Sequence, residues 1–273
     1  MMRPAVLVIA ATDSSGGAGL SRDVRVLSDF DVDALCVVTA VTAQSDRRVA
    51  AVHHVPPEVI RAQIAAALET RPVGAVKIGM LGNRATVEAV ADGLAGRAAA
   101  GSRGTSDGGA VGGGRGSGSG VVTPVVVDPV LVSSSGGMLL DDPGRAALLE
   151  KVLPLATLVT PNVPEVAALL GEPVAADEAA LIAQGQRLLT LGCRAILLKG
   201  GHTSGAEAVD LLITPGGAVQ RLTSPRVSGS SRGTGCALAS GIAAALTLGV
   251  PLLEACRAAK SYVLEKMLTP GGQ

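Results

Sequence analysis

The feature that most constrains this chain is a unit that recurs along it: a short aliphatic run, a polar or glycine-containing segment, then a helical pattern. The first run, "AVLVIAA" (5–11), is apolar at every position instead of at every second one, which marks a strand covered on both faces. "TDSSGGAG" (12–19) follows, then a helical pattern from about Leu20. Further strands read as "ALCVVTAV" (34–41), "GAVKIGML" (74–81), "PVVVDPV" (124–130), "ATLVTPN" (156–162) and "CRAILLKGG" (193–201). Residues 56–70 predict a helix that opens on proline and places Ile60, Ile64 and Leu68 on one face. Other helices start near Arg84, after Asn162 at "VPEVAALL", at Gly233 and at Leu252, while "AVDLLIT" and "AVQRLTS" read as an antiparallel pair joined at "PGG". The alternation predicts an α/β fold, a mostly parallel central sheet with helices on both faces. Functional loops are then expected at the carboxyl ends of the strands.

Composition narrows the function classes. Hydrophobic residues make up 48% of 273 and charged residues 17%, enough apolar material for a sizeable core. Aromatics are only 1%, so the core is aliphatic and stacking on nucleic-acid bases is not expected. A formal net charge of zero offers no basic surface to a phosphate backbone. Cys36, Cys193, Cys236 and Cys256 are scattered, with neither metal-ligand spacing nor a disulfide framework. The apolar run at the N-terminus is too short for a signal peptide, and no run reaches membrane-spanning length. The expectation is a cytoplasmic protein without membrane or nucleic-acid partners. "GSRGTSDGGAVGGGRGSGSG" (101–120), half of it glycine, reads as a disordered insertion in a single domain spanning 1–273.

Five polar groupings fall at strand ends, with a sixth at a helix start. "TDSSGGAGLSRD" (12–23) resembles a phosphate loop without matching either familiar glycine fingerprint, and reads as a backbone cradle or a flexible turn. Gln44 in "TAVTAQSD" presents a donor and an acceptor side by side, the complement of a ring nitrogen next to an amino group; a surface glutamine is the plainer reading. Asp128 precedes a rigid proline, and Asn162 and Glu165 stand three apart at a helix start. Glu165 there either complements the helix dipole or, with Asp128, faces the hydration shell of a Mg²⁺ ion. Lys199 at the end of "ILLKGGH" reads as a phosphate partner or an exposed terminus. In "SSRGTGCALASGIAAAL" (230–246), Gly233 and Gly235 precede a helix whose first turn carries Cys236. Unpaired amides and a positive dipole at that end suit an anion, lower a thiol's pKa, or do both. The groupings taken together suggest phosphoryl transfer, where positioning and charge stabilisation do the work.

In order and spacing, "DSSGGAG", "VTAVTAQ", "VKIGML", "VVVDPV", "TPNVPEVAALLG", "LLKGGH" and "GTGC" make the chain resemble the hydroxymethylpyrimidine/phosphomethylpyrimidine kinases of thiamine biosynthesis, within the ribokinase-like group. The resemblance covers nearly everything except 101–120. It implies a three-layer ribokinase-like sandwich, ATP and Mg²⁺ as cofactors, a small pyrimidine substrate and a homodimer. It implies that Gln44 binds the aminopyrimidine edge and that Gly16, Gly17, Ala18, Thr42, Met80 and Val130 line the ring pocket. Cys236 is implied as the base, where many ribokinase relatives have aspartate, with the amides around Gly233, Thr234 and Gly235 as the anion hole. Asp128 and Glu165, with Asn162 nearby, are implied beside Mg–ATP, the metal held through water. Lys199 and Lys260 are implied near the phosphates, and Asp23 as a further polar residue of the substrate site.

The chain departs from the family pattern in three places: Arg232 replaces a usual histidine, "SDRR" (45–48) follows Gln44, and Ser21-Arg22 replaces Gln-Ala. Arg232 is expected at the transferred phosphoryl group or the monophosphate. The rival readings are a pyridoxal kinase on the same scaffold, a non-catalytic pyrimidine-binding protein, and a cysteine acyl-transfer enzyme. The last has no histidine placed near Cys236: only His53, His54 and His202 occur. Because loop-closure entropy changes slowly with length, deleting 103–118 is expected to leave soluble yield and turnover nearly unaltered, checked by expression level and a steady-state assay. Loss of soluble protein would show that the segment packs.

Overall fold

A computed structural model describes residues 2–45, 47–100, 122–133, 136–200, 206–227 and 232–269, without side chains for 96–100. The 101–120 insertion, Asp46 within 45–48, His202 and the serines at 230 and 231 lie outside the described residues.

The elements in chain order are β1 (Ala5–Ala10), α1 (Gly19–Asp29), β2 (Asp33–Val38), β3 (Ala40–Gln44), β4 (Val49–His54), α2 (Pro57–Thr70), β5 (Ala75–Ile78), α3 (Arg84–Ala100), β6 (Val125–Val127), α4 (Asp142–Ala147), β7 (Leu158–Val159), α5 (Val163–Leu170), α6 (Glu178–Leu189), β8 (Ile196–Leu198), β9 (Glu207–Ile213), β10 (Val219–Pro225), α7 (Thr234–Thr247) and α8 (Leu252–Leu268). The main sheet runs β10-β9-β8-β7-β6-β5-β1-β2. It is parallel from β2 to β8, and β9 and β10 add antiparallel strands at one edge.

β1 shows why the aliphatic runs are continuous. Leu7 and Ile9 pack with α2, α3, α5 and α6 on one face, while Val6, Val8 and Ala10 pack with α1, α7 and α8 on the other. Successive side chains point to opposite faces, so a strand covered on both sides needs apolar residues at each position. The result is the expected three-layer sandwich. α7 is the most deeply set helix, with Ala237 to Ala245 buried at every position. Its small residues let it lie close to the sheet while α1 and α8 close over it. Among the described residues no helix is long and apolar enough to cross a membrane.

The expected boundaries need correction. The run 34–41 is not one strand: β2 ends at Val38, and β3 leaves the sheet to pair with β4 as a separate antiparallel hairpin. β4, α4 and α6 have no counterpart in the sequence reading. In β3 the usual rule is inverted, with Thr42 2% exposed and Val41 51% exposed. The inner face of the hairpin lies over a polar loop, so hydrophobic periodicity points the wrong way there. The turn between β9 and β10 does fall at 215–217, closed by Thr214 N–H to Ala218 O and Gly217 N–H to Thr214 O.

Candidate active site

The residues after β1 form the centre of the site. Asp13 Oδ1 accepts from the Ser15 amide and hydroxyl at 2.9 and 2.8 Å, folding the loop into an Asx turn. The hairpin is sewn to this loop. Thr42 Oγ1 donates to Thr12 O at 2.8 Å, and Ser14 Oγ bonds both the Gln44 carbonyl and the Gln44 amide, at 2.7 and 2.8 Å. The half-buried Gln44 side chain keeps its Oε1 within 3.4 Å of the buried Thr42 hydroxyl. Beneath lies a small apolar cluster of Ala11, Ala40, Met80 and Leu139, with Val49, Val52 and Val130 packed on it. Thr39 Oγ1 anchors the Met80 carbonyl at 2.7 Å. Val130 has φ +37°, a strained left-handed conformation for a β-branched residue, of the kind that clusters at ligand sites.

The start of α7 meets the same loop. Gly233 adopts φ +73°, and a Cβ there would lie 2.1 Å from Gly17 O, so only glycine fits. Arg232 reaches back to Asp13 Oδ2 at 3.1 Å and Ser15 Oγ at 3.0 Å. The buried Arg22 donates to Gly17 O and Arg232 O at 3.3 and 3.5 Å. Two departures from the family pattern, Arg22 and Arg232, thus cross-link the first loop to the α7 turn.

An ionic group faces Gly235. Lys199 Nζ lies 2.7 Å from Asp128 Oδ1 and 3.9 Å from Glu165 Oε2. A Cβ at Gly235 would stand 3.2 Å from Lys199 Nζ and 3.3 Å from Asp128 Oδ2. Burial opposes the Lys199 charge, but Asp128 and Glu165 overcome it and hold the ammonium above the ordinary lysine value. Burial raises Glu165 above the usual carboxylate range; Lys199 pulls it back only in part. Glu165 also completes a capping box: Asn162 Oδ1 accepts from Glu165 N–H at 2.9 Å, and Glu165 Oε2 accepts from Asn162 N–H at 2.8 Å. The Asn162 side chain is therefore engaged in capping α5. Among the described residues no group of three or more His, Cys, Asp or Glu is placed to hold a metal directly.

Cys236 corrects one expectation. The helix start suggests a depressed thiol pKa, but burial pushes it up to about 11. Lys77 acts in the lowering direction, Asp23 and Asp128 against it, and the Gly19 N–H bonds the sulfur. The desolvation of a half-buried sulfur outweighs what the first turn of α7 supplies.

Two further residues have partners inside the fold. Asp23 is fully buried, held by Lys77 Nζ at 2.7 Å and Ser240 Oγ at 2.8 Å, so both its oxygens are engaged inside the fold. Lys260 pairs with Asp210 at 2.7 Å, whose Oδ1 accepts from Gly200 N–H at 2.9 Å; it braces the backbone after Lys199. Lys77 was missed by the sequence reading. The available signal was a lysine inside a strand apolar on both faces, where a charge must have a partner.

The family described as Phosphomethylpyrimidine kinase matches this chain over residues 13–101 and 119–270. The hydroxymethylpyrimidine/phosphomethylpyrimidine kinase of Rhizobium meliloti is 41% identical over 263 residues, covering 96% of this chain and 90% of that protein. The crystal structure of phosphomethylpyrimidine kinase from Clostridium difficile superposes with TM-score 0.77 at 31% identity, covering 96% of this chain and 99% of that one. The Bacillus subtilis pyridoxal kinase in its ADP complex superposes with TM-score 0.80 at 26% identity, covering 96% and 90%.

The capping box generates a prediction separable from catalysis. Asn162→Ala removes the cap on α5 and is expected to cost about 1 kcal/mol, read as a lower denaturation midpoint in urea. An unchanged midpoint would show that the cap contributes nothing to stability.

Proposed function

The chain belongs to the phosphomethylpyrimidine kinase family, and on that premise we propose that it uses ATP to phosphorylate 4-amino-5-hydroxymethyl-2-methylpyrimidine and then its monophosphate, in thiamine biosynthesis. The observation that carries this reading is the meeting of three groups at one sheet edge: the Gln44 hairpin, the α7 turn with Cys236, and the Lys199–Asp128 pair. A pyridoxal kinase shares the scaffold, so pyridoxal is the control substrate.

In this reading Gln44 offers its amide to the amino group and ring nitrogen of the pyrimidine. Gly16, Gly17, Ala18, Thr42, Met80 and Val130 shape the pocket around the ring. The hydroxymethyl proton passes to the Cys236 thiolate as the hydroxyl oxygen bonds the γ-phosphorus. The bond from that phosphorus to the bridging oxygen breaks, and its electron pair leaves on ADP. The amides of Gly233, Thr234, Gly235 and Cys236 stabilise the charge spread over the phosphoryl oxygens. Lys199 serves the nucleotide phosphates, and Lys260 supports it through Asp210. Arg232, held by Asp13 and Ser15, exchanges those partners for phosphate oxygens in this reading.

Mg²⁺ bound with the nucleotide neutralises charge on the transferring group. Two carboxylates already accepting from Lys199 and Asn162 fit a hydrated ion better than a direct cage, so Asp128 and Glu165 would hold it through its waters. The working enzyme in this proposal is a cytoplasmic homodimer of one kinase domain per chain.

Gln44→Leu is expected to raise KM for the pyrimidine by about 10- to 100-fold, the loss of a buried hydrogen bond worth about 1–3 kcal/mol, with KM for ATP little changed. Equal effects on both substrates would make Gln44 structural. The assay is ADP release with each pyrimidine and with pyridoxal.

Cys236→Ala is expected to lower kcat by roughly 10²–10⁴ with ATP binding kept. The thiolate is the working form and the thiol titrates near 11, so kcat/KM of the parent should climb about tenfold per unit from about pH 8 to about pH 10. Cys236→Asp places an ionised carboxylate there, so it should recover part of the activity with a flat profile over that range. Near-normal turnover in the alanine variant would leave positioning alone as the source of catalysis.

A further inference from the structure

Lys77 is the one charged residue of β5, whose four residues are all buried. Its side chain is 0% exposed, and so is that of its partner Asp23. Asp23 Oδ1 in turn accepts from Ser240, one turn after Cys236 on the same face of α7. The Lys77 ammonium lies 2.9 Å from where a Cβ of Gly79 would stand, so the side chain runs toward the carboxyl edge of the sheet, under the α7 turn. The ion pair therefore sits one layer beneath the reacting groups, out of contact with solvent.

Stability alone is a weak account of such a pair, because apolar residues of similar volume often serve a core as well or better. The charges that act on Cys236 are Lys77 from β5, Asp23 from α1, Asp128 from the loop after β6 and Lys199 from the end of β8. Lys77 contributes the strongest effect favouring a negative sulfur. Asp23 and Ser240 keep that cation in place and charged in a site where an unpartnered lysine would shed its proton.

We propose that Lys77 is a positioning residue for phosphoryl transfer: its ammonium, locked under α7 by Asp23 and Ser240, is the fixed counter-charge for the negative sulfur that takes the hydroxymethyl proton. This rests on the reading of Cys236 as the base, and it gives Asp23 a role in holding Lys77 instead of in touching the pyrimidine. Lys77 itself touches no reacting atom; it acts through Cys236.

The test titrates the sulfur directly, in the ligand-free full chain with Cys36→Ser to remove the exposed thiol; Cys193 and Cys256 are buried. Alkylation of Cys236 by iodoacetamide is followed by mass spectrometry up to about pH 11.5, past the parent midpoint. Lys77→Met is expected to slow alkylation at least tenfold at pH 8.5 and to move the midpoint upward. The kcat/KM profile should move with it, and KM for ATP should stay within about twofold. Lys77→Met with Asp23→Leu leaves no uncompensated buried charge, so it decides the matter if the single variant does not fold. It should also slow alkylation at least threefold. A folded double variant whose Cys236 titrates as in the parent overturns the proposal. Slower alkylation with an unmoved kcat/KM profile overturns the catalytic role, and Cys236→Ala separately reports whether the sulfur is the base at all.

Discussion

The site depends on a backbone contact that only glycine allows. Gly233 presses against Gly17 O with a positive φ, which brings the loop after β1 and the start of α7 to the same point. These segments are more than 200 residues apart in the chain. The first is a short loop folded by Asp13, and the second is the opening turn of the 14-residue α7. Their closeness follows from α7 lying deep against the sheet, which its small residues permit. Arg22 and Arg232 then tie the junction from the outside. Any side chain at Gly233 would collide with Gly17 O and strain the backbone that opens α7.

Around this junction the charges are arranged in pairs. Lys77 meets Asp23, Lys199 meets Asp128, and Arg232 meets Asp13, each pair spanning different elements. Charge in a poorly solvated site is costly unless it is matched, and each of these cations meets a carboxylate. The pairs differ in depth. Lys77–Asp23 is sealed under α7, whereas Lys199 and Arg232 keep 15% and 19% of their side chains exposed. In the proposed reaction the outer cations exchange partners for phosphate, and the inner one is a fixed part of the field. Burial is also what raises the Cys236 thiol, so the same exclusion of water that strengthens the anion hole makes the sulfur reluctant to ionise.

The hairpin of β3 and β4 shows how a polar contact between elements distorts sequence signals. Thr42 points inward and Val41 outward, because the inner face must bond Thr12 and Ser14 and keep Gln44 in reach. A solvent-exposed valine and a buried threonine are poor local choices that make sense only over a polar loop. The left-handed Val130 is a similar local cost, borne against the small apolar cluster of Ala11, Ala40, Met80 and Leu139.

The sequence by itself determined the layered α/β sandwich, since short aliphatic runs such as 5–11 alternate with helical patterns and so mark strands covered on both faces. It also placed Asp128, Glu165, Lys199 and Cys236 at one edge, because parallel strands send every following loop to the same side. Motif order identified the family without any coordinates. Tertiary structure alone decided the rest. The β4 strand is half-exposed and carries no clean period, so only its pairing with β3 reveals it. That Asp23 serves Lys77, and that Asn162 caps α5, depends on where side chains fall after packing. The direction of the Cys236 shift was settled the same way: a helix start can be read from residue order, but desolvation depends on what the fold lays over the sulfur.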